Sequence, residues 1–254
     1  MRSFVRVATL ALVTFWGTAA SAQTVAMKFV GGGSYTDGHY YVGTYTGTEN
    51  GATVPLNCVD FFHEVSINPP TEWTANVTSL ASADLSKTRF GAYGYGTVDL
   101  ATVRDHYQKM AFLTTYYASA TDANDVSAIQ HAIWSYYVTS TGMTGGALFD
   151  PYLPSPPNPA NTPNTSYVAN SSYIKTDLGN SATDDDAGYW VAFANAHAPT
   201  DNAYYSHFQI ITDIHPSAST SAQEFITTPE PSSVALLGTG LVGLVPMFRR
   251  RRRK

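Results

Sequence analysis

The 26 C-terminal residues limit what the rest of this chain can fold into. They begin with Pro229, Glu230 and Pro231, continue with a 15-residue apolar run at 234–248, and end in five arginines and a lysine at 249–254. As a helix rising about 1.5 Å per residue, the apolar run would reach roughly 22 Å, which is short of the ~30 Å hydrocarbon core of a bilayer. The basic end would stay on the cytoplasmic side and hold the preceding chain outside. We therefore expect a sorting address that is separate from the folded domain.

The order of short motif, apolar span and basic end resembles the PEP-CTERM tail of exported proteins from Gram-negative, exopolysaccharide-making bacteria. The resemblance implies processing by an exosortase and transient contact with the inner membrane through the transmembrane span. It also implies a final location in the cell envelope, at the outer surface or in the extracellular matrix. An ordinary single-span tail anchor is the alternative interpretation.

The N-terminus has the features of a secretory signal peptide. Arg2 and Arg6 form a basic start, 5–16 is mostly apolar, and a small-residue cleavage site ends at Ala22. Removal of residues 1–22 and of the tail 229–254 leaves 23–228, about 206 residues, which is enough for one domain with a substantial core.

The mature segment is strongly acidic. It keeps 6 basic and 18 acidic residues, a net charge of about −12, whereas the whole chain carries −5. Such a surface argues against a nucleic-acid partner, because phosphate binding requires clustered Lys and Arg. The acidic residues at 184–186 lack the spacing of a calcium loop, so we expect no metal, and no motif indicates a cofactor.

The first half of the domain is predicted to be β. Short β-branched and aromatic runs separated by Gly-rich turns predict strands at 24–30, 39–46 and 53–59. Apolar residues at helical spacing then predict a helix at 100–117, capped by Asp99. A second helix is expected to begin at Asp122 or Asp125 and to end before Gly142.

The second half returns to strands after a long loop. Six prolines at 150–166 predict an extended loop, and 183–196 a short helix with three Asp residues in its first turn. Closing strands are expected at 204–212 and 223–227, and the alternation of small and aromatic residues at 91–96 also favours a strand. The order predicts a single α+β domain with a β-rich N-terminal half, two central helices and closing C-terminal strands.

Cys58 is the only cysteine of the chain. Exported proteins normally use cysteines in pairs, so a single thiol needs an explanation. Cys58 is an inert buried side chain, or one half of an intermolecular disulfide, or one half of another covalent bond.

A Gln-x-Ala-Ile-Trp pattern at 130–134 lies downstream of this lone cysteine. The combination resembles the thioester domains of bacterial surface adhesins, in which Cys and Gln side chains form an internal thioester. The resemblance covers about 41–137 and implies that Cys58 is the thioester sulfur and Gln130 the acyl donor. Asn57 departs from the pattern, because an aromatic residue or leucine commonly precedes the cysteine in those adhesins.

Four neighbours are candidates for supporting roles. Asp60 would share the strand face of Cys58 if the strand continued past it. His131 could move a proton, as could His63, and Trp134 would shield the bond from water. Each has an ordinary alternative, as a turn residue, a packed histidine or a core aromatic.

The sequence supports more than one function. The first is an adhesion or anchoring module, not a turnover enzyme, whose thioester couples once to an amine or hydroxyl group. The second is a domain of the same fold without the bond, a structural or exopolysaccharide-binding matrix protein whose many tyrosines contact polysaccharide. The third is a Cys-His hydrolase that pairs Cys58 with one of four histidines, namely His131, His197, His207 or His215.

Overall fold

The computed structural model describes residues 23–37, 40–61, 63–93, 100–138, 183, 185–215 and 221–228. The predicted signal peptide, the loop at 150–166, the cap at Asp99 and the sorting tail lie outside these residues.

Six strands form a closed antiparallel barrel in the order β1-β4-β5-β8-β7-β6. The barrel strands are β1 (Gln23–Gly31), β4 (Thr44–Glu49), β5 (Ala52–Cys58), β6 (Glu72–Ser79), β7 (Gln209–Asp213) and β8 (Phe225–Thr227). A separate two-stranded hairpin consists of β2 (Tyr35–Thr36) and β3 (Tyr41–Val42). The three-residue strand β8 completes the barrel, because it pairs with β5 on one side and with β7 on the other.

Four α-helices and one 3-10 helix accompany the barrel in the described part of the chain. They are α1 (Arg89–Tyr93), α2 (Leu100–Thr114), α3 (Ala123–Val138), α4 (Ala187–His197) and the 3-10 helix Tyr204–His207. Helix α3 packs against both α2 and α4. Its start is capped by Asp122, whose Oδ1 accepts the backbone N–H groups of Asn124 at 2.8 Å and Asp125 at 3.2 Å.

Helix α3 contributes to both hydrophobic cores. One core consists mainly of strand residues at alternating positions, such as Val25 and Met27, and α3 adds Trp134 to it. The other core consists mainly of helix residues, and α3 adds Ile129 and Ile133. Burial on two sides fixes the rotation of α3, and this positions every side chain of the segment 129–134.

Much of the predicted architecture is found. The β-rich first half, the two central helices and the closing strands are present, and the arrangement is compatible with one α+β domain. The closed barrel and strand β6 were not predicted from the sequence. The predicted strand at 39–46 is divided into β3 and β4 at Gly43, where φ is 89°.

Three other predictions need correction. The stretch 91–96 was expected to be a strand, but 89–93 is the helix α1, and a Cβ at Gly91 would lie 2.0 Å from a backbone oxygen. Glycine is therefore needed at position 91, because the backbone there packs too closely to leave room for a Cβ. Helix α4 begins at Ala187 instead of 183, so Asp185 and Asp186 precede its first turn. The first four residues of the expected strand 204–212 form the 3-10 helix.

No helix in the described part of the chain has the length and apolar character needed to cross a bilayer. The expected transmembrane span at 234–248 lies outside that part.

Candidate functional site

The end of β5 and the middle of α3 bring Cys58 and Gln130 together. Gln130 Nε2 donates a hydrogen bond of 2.9 Å to the backbone oxygen of Cys58. The opposite end of the same carboxamide, Oε1, accepts a 2.8 Å hydrogen bond from the hydroxyl group of Tyr117. Both Cys58 and Gln130 have an exposed fraction of 0%. The carboxamide is thus held at both ends in a site without solvent.

Asn57 anchors the strand at the point where Cys58 emerges. Its Nδ2 donates to the backbone oxygen of Ile226 at 3.2 Å, and its Oδ1 accepts from the Thr44 hydroxyl at 2.9 Å. These contacts join β5 to both of its neighbouring strands. A polar residue before the cysteine therefore has a structural reason in this barrel.

Burial keeps the thiol of Cys58 protonated. It raises the pKa of Cys58 to about 12, and the negative charge of Asp60 adds to the rise. The indole N–H of Trp134 acts in the opposite direction, and the sulfur lies 3.3 Å from the Asp60 backbone oxygen. Burial also raises the pKa of Tyr117 far above its ordinary value, so its hydroxyl remains a hydrogen-bond donor.

Asp60 does not extend the strand of Cys58, because β5 ends at Cys58. Its carboxylate Oδ2 lies 2.8 Å from His63 Nδ1 and 3.0 Å from Arg89 Nε, and the three side chains are almost completely buried. Arg89 Nη1 lies 3.0 and 2.9 Å from the two ring nitrogens of His63. Because the two distances are nearly equal, Arg89 Nη1 lies over the face of the His63 ring. A hydrogen bond along the lone pair of one ring nitrogen would leave the other nitrogen farther away.

A second carboxylate, Glu224, completes this buried cluster. It accepts hydrogen bonds from the Arg89 backbone N–H at 2.7 Å and from the hydroxyl groups of Tyr107 and Thr212. Burial raises the pKa of Glu224 to about 7, against the opposing charge of Arg89. Arg89 also donates to oxygens at 221–222. The cluster ties helix α1 and strand β8 to the loop that follows Cys58.

His131 and Trp134 have separate contacts. His131 Nε2 lies 2.9 Å from Asp37 Oδ2, and Asp37 Oδ1 accepts the backbone N–H of Tyr40 at 2.7 Å. His131 thereby holds the β2–β3 hairpin against α3. Trp134 is 2% exposed, and its ring centroid lies 5.0 Å from that of Phe61 and 5.9 Å from that of Tyr40.

A cavity of about 480 Å³ opens beside this aromatic group. It is lined by Phe29, Tyr40, Tyr41, Tyr45, Phe61, His63, Glu64, Val65, Ser66, Ile67, Trp134 and Gln223. Trp134, Tyr45 and Phe61 belong to the same hydrophobic core as Cys58, so the cavity wall and the surroundings of the thiol share side chains.

The histidines required by a Cys-His hydrolase make other contacts. His131 pairs with Asp37, while His197 packs on Phe193 with ring centroids 4.6 Å apart. His207 packs on Phe208 at 4.3 Å.

Three carboxylates could hold a cation on the surface. One oxygen from each of Asp122, Asp125 and Asp185 lies within 4.8 Å of the others. No sequence pattern indicates this cluster, because Asp185 is brought to the start of α3 by the fold.

Tyr117 is one of the site residues that the sequence did not indicate. It lies in the turn after α2, thirteen positions before Gln130, and next to the similar Tyr116. Its role depends on a contact between the turn after α2 and helix α3, and no local pattern distinguishes Tyr117 from the other tyrosines.

The end of the chain matches a known family model. Residues 227–253 match the model of the PEP-CTERM protein-sorting motif. The motif indicates an exported protein that is processed by an exosortase. The PEP-CTERM motif implies export to the bacterial cell envelope or surface, and it contains Pro229, Glu230 and Pro231. No curated protein and no solved structure matches the chain.

Proposed function

We propose that the exported domain is an adhesion or anchoring module with an internal thioester between Cys58 and Gln130. The observation that carries this proposal is the fully buried Gln130 carboxamide, held between the Cys58 backbone oxygen and the Tyr117 hydroxyl group. A carboxamide that is fixed beside a thiol and provided with a donor at its oxygen is arranged for acyl transfer.

The bond forms by an exchange that needs no other reactant. The Cys58 sulfur attacks Cδ of Gln130, and the developing oxyanion is stabilised by the Tyr117 hydroxyl. The C–N bond then breaks, and nitrogen leaves as ammonia with the proton of the thiol. Because the pKa of the thiol is about 12, transfer of that proton to the departing nitrogen is part of the reaction.

The thioester is used once. Burial of Cys58 and Gln130 keeps water away until an amine or a hydroxyl group of a partner arrives. Its nitrogen or oxygen attacks Cδ of Gln130, the C–S bond breaks, and the proton passes to the Cys58 sulfur. The product is an amide or ester bond to the partner, and the protein acts as a covalent tether instead of a turnover catalyst.

Intact mass of the purified full-length protein tests the proposal. Peptide sequencing defines both termini, and the mass is measured before and after incubation with methylamine. We expect a mass short by one ammonia, gain of one methylamine, and the adduct on the Gln130 peptide. Cys58→Ala is the control and should have neither property. Full unmodified mass with no uptake of methylamine would contradict the proposal.

A second function is favoured by the aromatic cavity of about 480 Å³. In this alternative the domain is a structural or exopolysaccharide-binding protein of a Gram-negative biofilm matrix, and its binding is non-covalent. Iodoacetamide separates the alternatives. The Cys58 thioester sulfur reacts only after it is opened by an amine, whereas a free thiol reacts after unfolding without any amine.

A further inference from the structure

The cavity and the proposed thioester share two walls. Trp134 and Tyr45 line the cavity, and both belong to the hydrophobic core that contains Cys58. Burial is the main cause of the raised pKa values of Cys58 and Tyr45; in addition, the indole N–H of Trp134 lowers the pKa of the thiol, and the Cys58 charge raises the pKa of Tyr45. The cavity is therefore bounded by side chains that also surround the sulfur of Cys58.

The cavity combines angled aromatic surfaces with a few polar groups. Tyr40 stands nearly perpendicular to both Phe61 and Trp134, at 72° and 82°, so the three rings form a corner. Ser66 and Gln223 add polar groups to the same lining. Flat apolar surfaces suit the C–H faces of a sugar ring, and the polar groups can pair with its hydroxyl groups.

We propose that this cavity binds a neutral saccharide and presents one of its hydroxyl groups to the Cys58–Gln130 thioester. The coupling part of this inference rests on the proposed function, whereas the binding part does not. The volume of about 480 Å³ lies within the roughly 300–1,000 Å³ typical of small-molecule sites.

The charges around the cavity favour a neutral ligand over a cation. Aromatic faces also attract cations, so a charged amine is the competing ligand. However, Arg89 lies directly behind the lining residue His63, with Nη1 2.9 Å from its Nε2. The carboxylate of the lining belongs to Glu64, which is exposed and lies next to His63 in the chain. The charge of Arg89 is compensated by Asp60, whose Oδ2 lies 3.0 Å from Arg89 Nε, and the carboxylate of Glu64 faces solvent. The wall therefore has no uncompensated buried charge that would select a charged ligand.

The coupling step is balanced with the groups present. The saccharide oxygen attacks Cδ of Gln130, a C–O ester bond forms and the C–S bond breaks. The hydroxyl proton passes to the Cys58 sulfur, which becomes a thiol. A buried sulfur is a strong proton acceptor, because its environment disfavours the charged form.

Binding is tested first without the thioester. Full-length Cys58→Ala is mixed with cellobiose or maltose and followed by ligand-observed NMR. We expect saturation transfer to at least one disaccharide, and binding about tenfold weaker, equivalent to ~1.4 kcal/mol, after the additional change Tyr41→Ala. Tyr35→Ala is the matched control, because Tyr35 is also exposed on the hairpin but does not line the cavity. Equal binding by both variants, or no binding, would overturn the inference.

Coupling is tested next with the unmodified protein. We expect the same disaccharide to appear as an ester on the Gln130 peptide. Methylamine uptake without saccharide binding would refute the cavity inference and leave the thioester intact. Saccharide binding without any thioester would refute the proposed function and leave the binding site.

Discussion

The hydroxyl group of Tyr117 should control how fast the Cys58–Gln130 thioester forms. Tyr117→Phe removes one oxygen atom, the donor that lies 2.8 Å from Gln130 Oε1, and keeps the partly buried ring. Loss of that partner leaves Oε1 unsatisfied and costs about 1–3 kcal/mol of folding stability. Loss of a donor to an oxyanion costs more in the transition state, about 10²–10³ in rate. We therefore expect thioester formation at least about 100-fold slower.

The assay is a time course of intact mass after refolding of the full-length protein from denaturant. The loss of ammonia is followed first, and opening of the formed bond by methylamine second, because the same donor stabilises both oxyanions. Tyr116→Phe is the matched control, since its ring packs on Phe112 and Phe193 in the other core. If Tyr117→Phe forms and opens the bond at the rate of the unmodified protein, the assignment of Tyr117 as oxyanion donor is wrong.

Three further predictions concern stability. Burial holds the pKa of Glu224 at about 7, above its ordinary 4.5. The contribution of protonated Glu224 to folding stability is therefore complete below pH 4.5 and is lost as the pH rises through 7. The loss amounts to roughly 3 kcal/mol, and urea unfolding of Glu224→Gln at several pH values should have a flatter dependence. Asp60→Asn should cost about 3–5 kcal/mol in the same assay, because it leaves the Arg89 guanidinium buried without its charge partner; an unchanged midpoint contradicts this. Gly33→Ala should lower the melting temperature, at a cost of about 1–3 kcal/mol, because a Cβ there would lie 1.8 Å from a carbonyl oxygen of β3. Gly31→Ala is its control, with no atom within 4 Å of the new carbon.

The sequence predicted local features well and long-range contacts poorly. Asp122 was expected as a helix cap and is one, because capping depends on neighbours two and three positions away. Strand β6 was missed, although its buried Ala75 pairs with β1 on one side and with β7 on the other. The partner strands lie far along the chain, and short polar runs such as 72–79 acquire their strand structure from them.

The residues of the candidate site show the same division between local features and long-range contacts. The proximity of Cys58 and Gln130 was expected from a sequence pattern, whereas no pattern indicated Arg89 or Glu224. Both charges are buried, and a sequence alone gives the opposite expectation for Arg and Glu. Only the fold brings Arg89 to Asp60, and Glu224 to the backbone N–H of Arg89.

The position of β8 connects the chemistry of the site with the export of the protein. Cys58 pairs with Phe225, Asn57 donates to Ile226, and the backbone N–H of Val59 donates to the oxygen of Glu224 at 3.1 Å. These partners directly precede the PEP-CTERM motif, which begins at residue 227. The surroundings of the thiol are therefore incomplete until the segment that directly precedes the motif has joined the barrel. Because burial is what would protect a thioester from water, a thioester at Cys58 would be stable only with β8 in place.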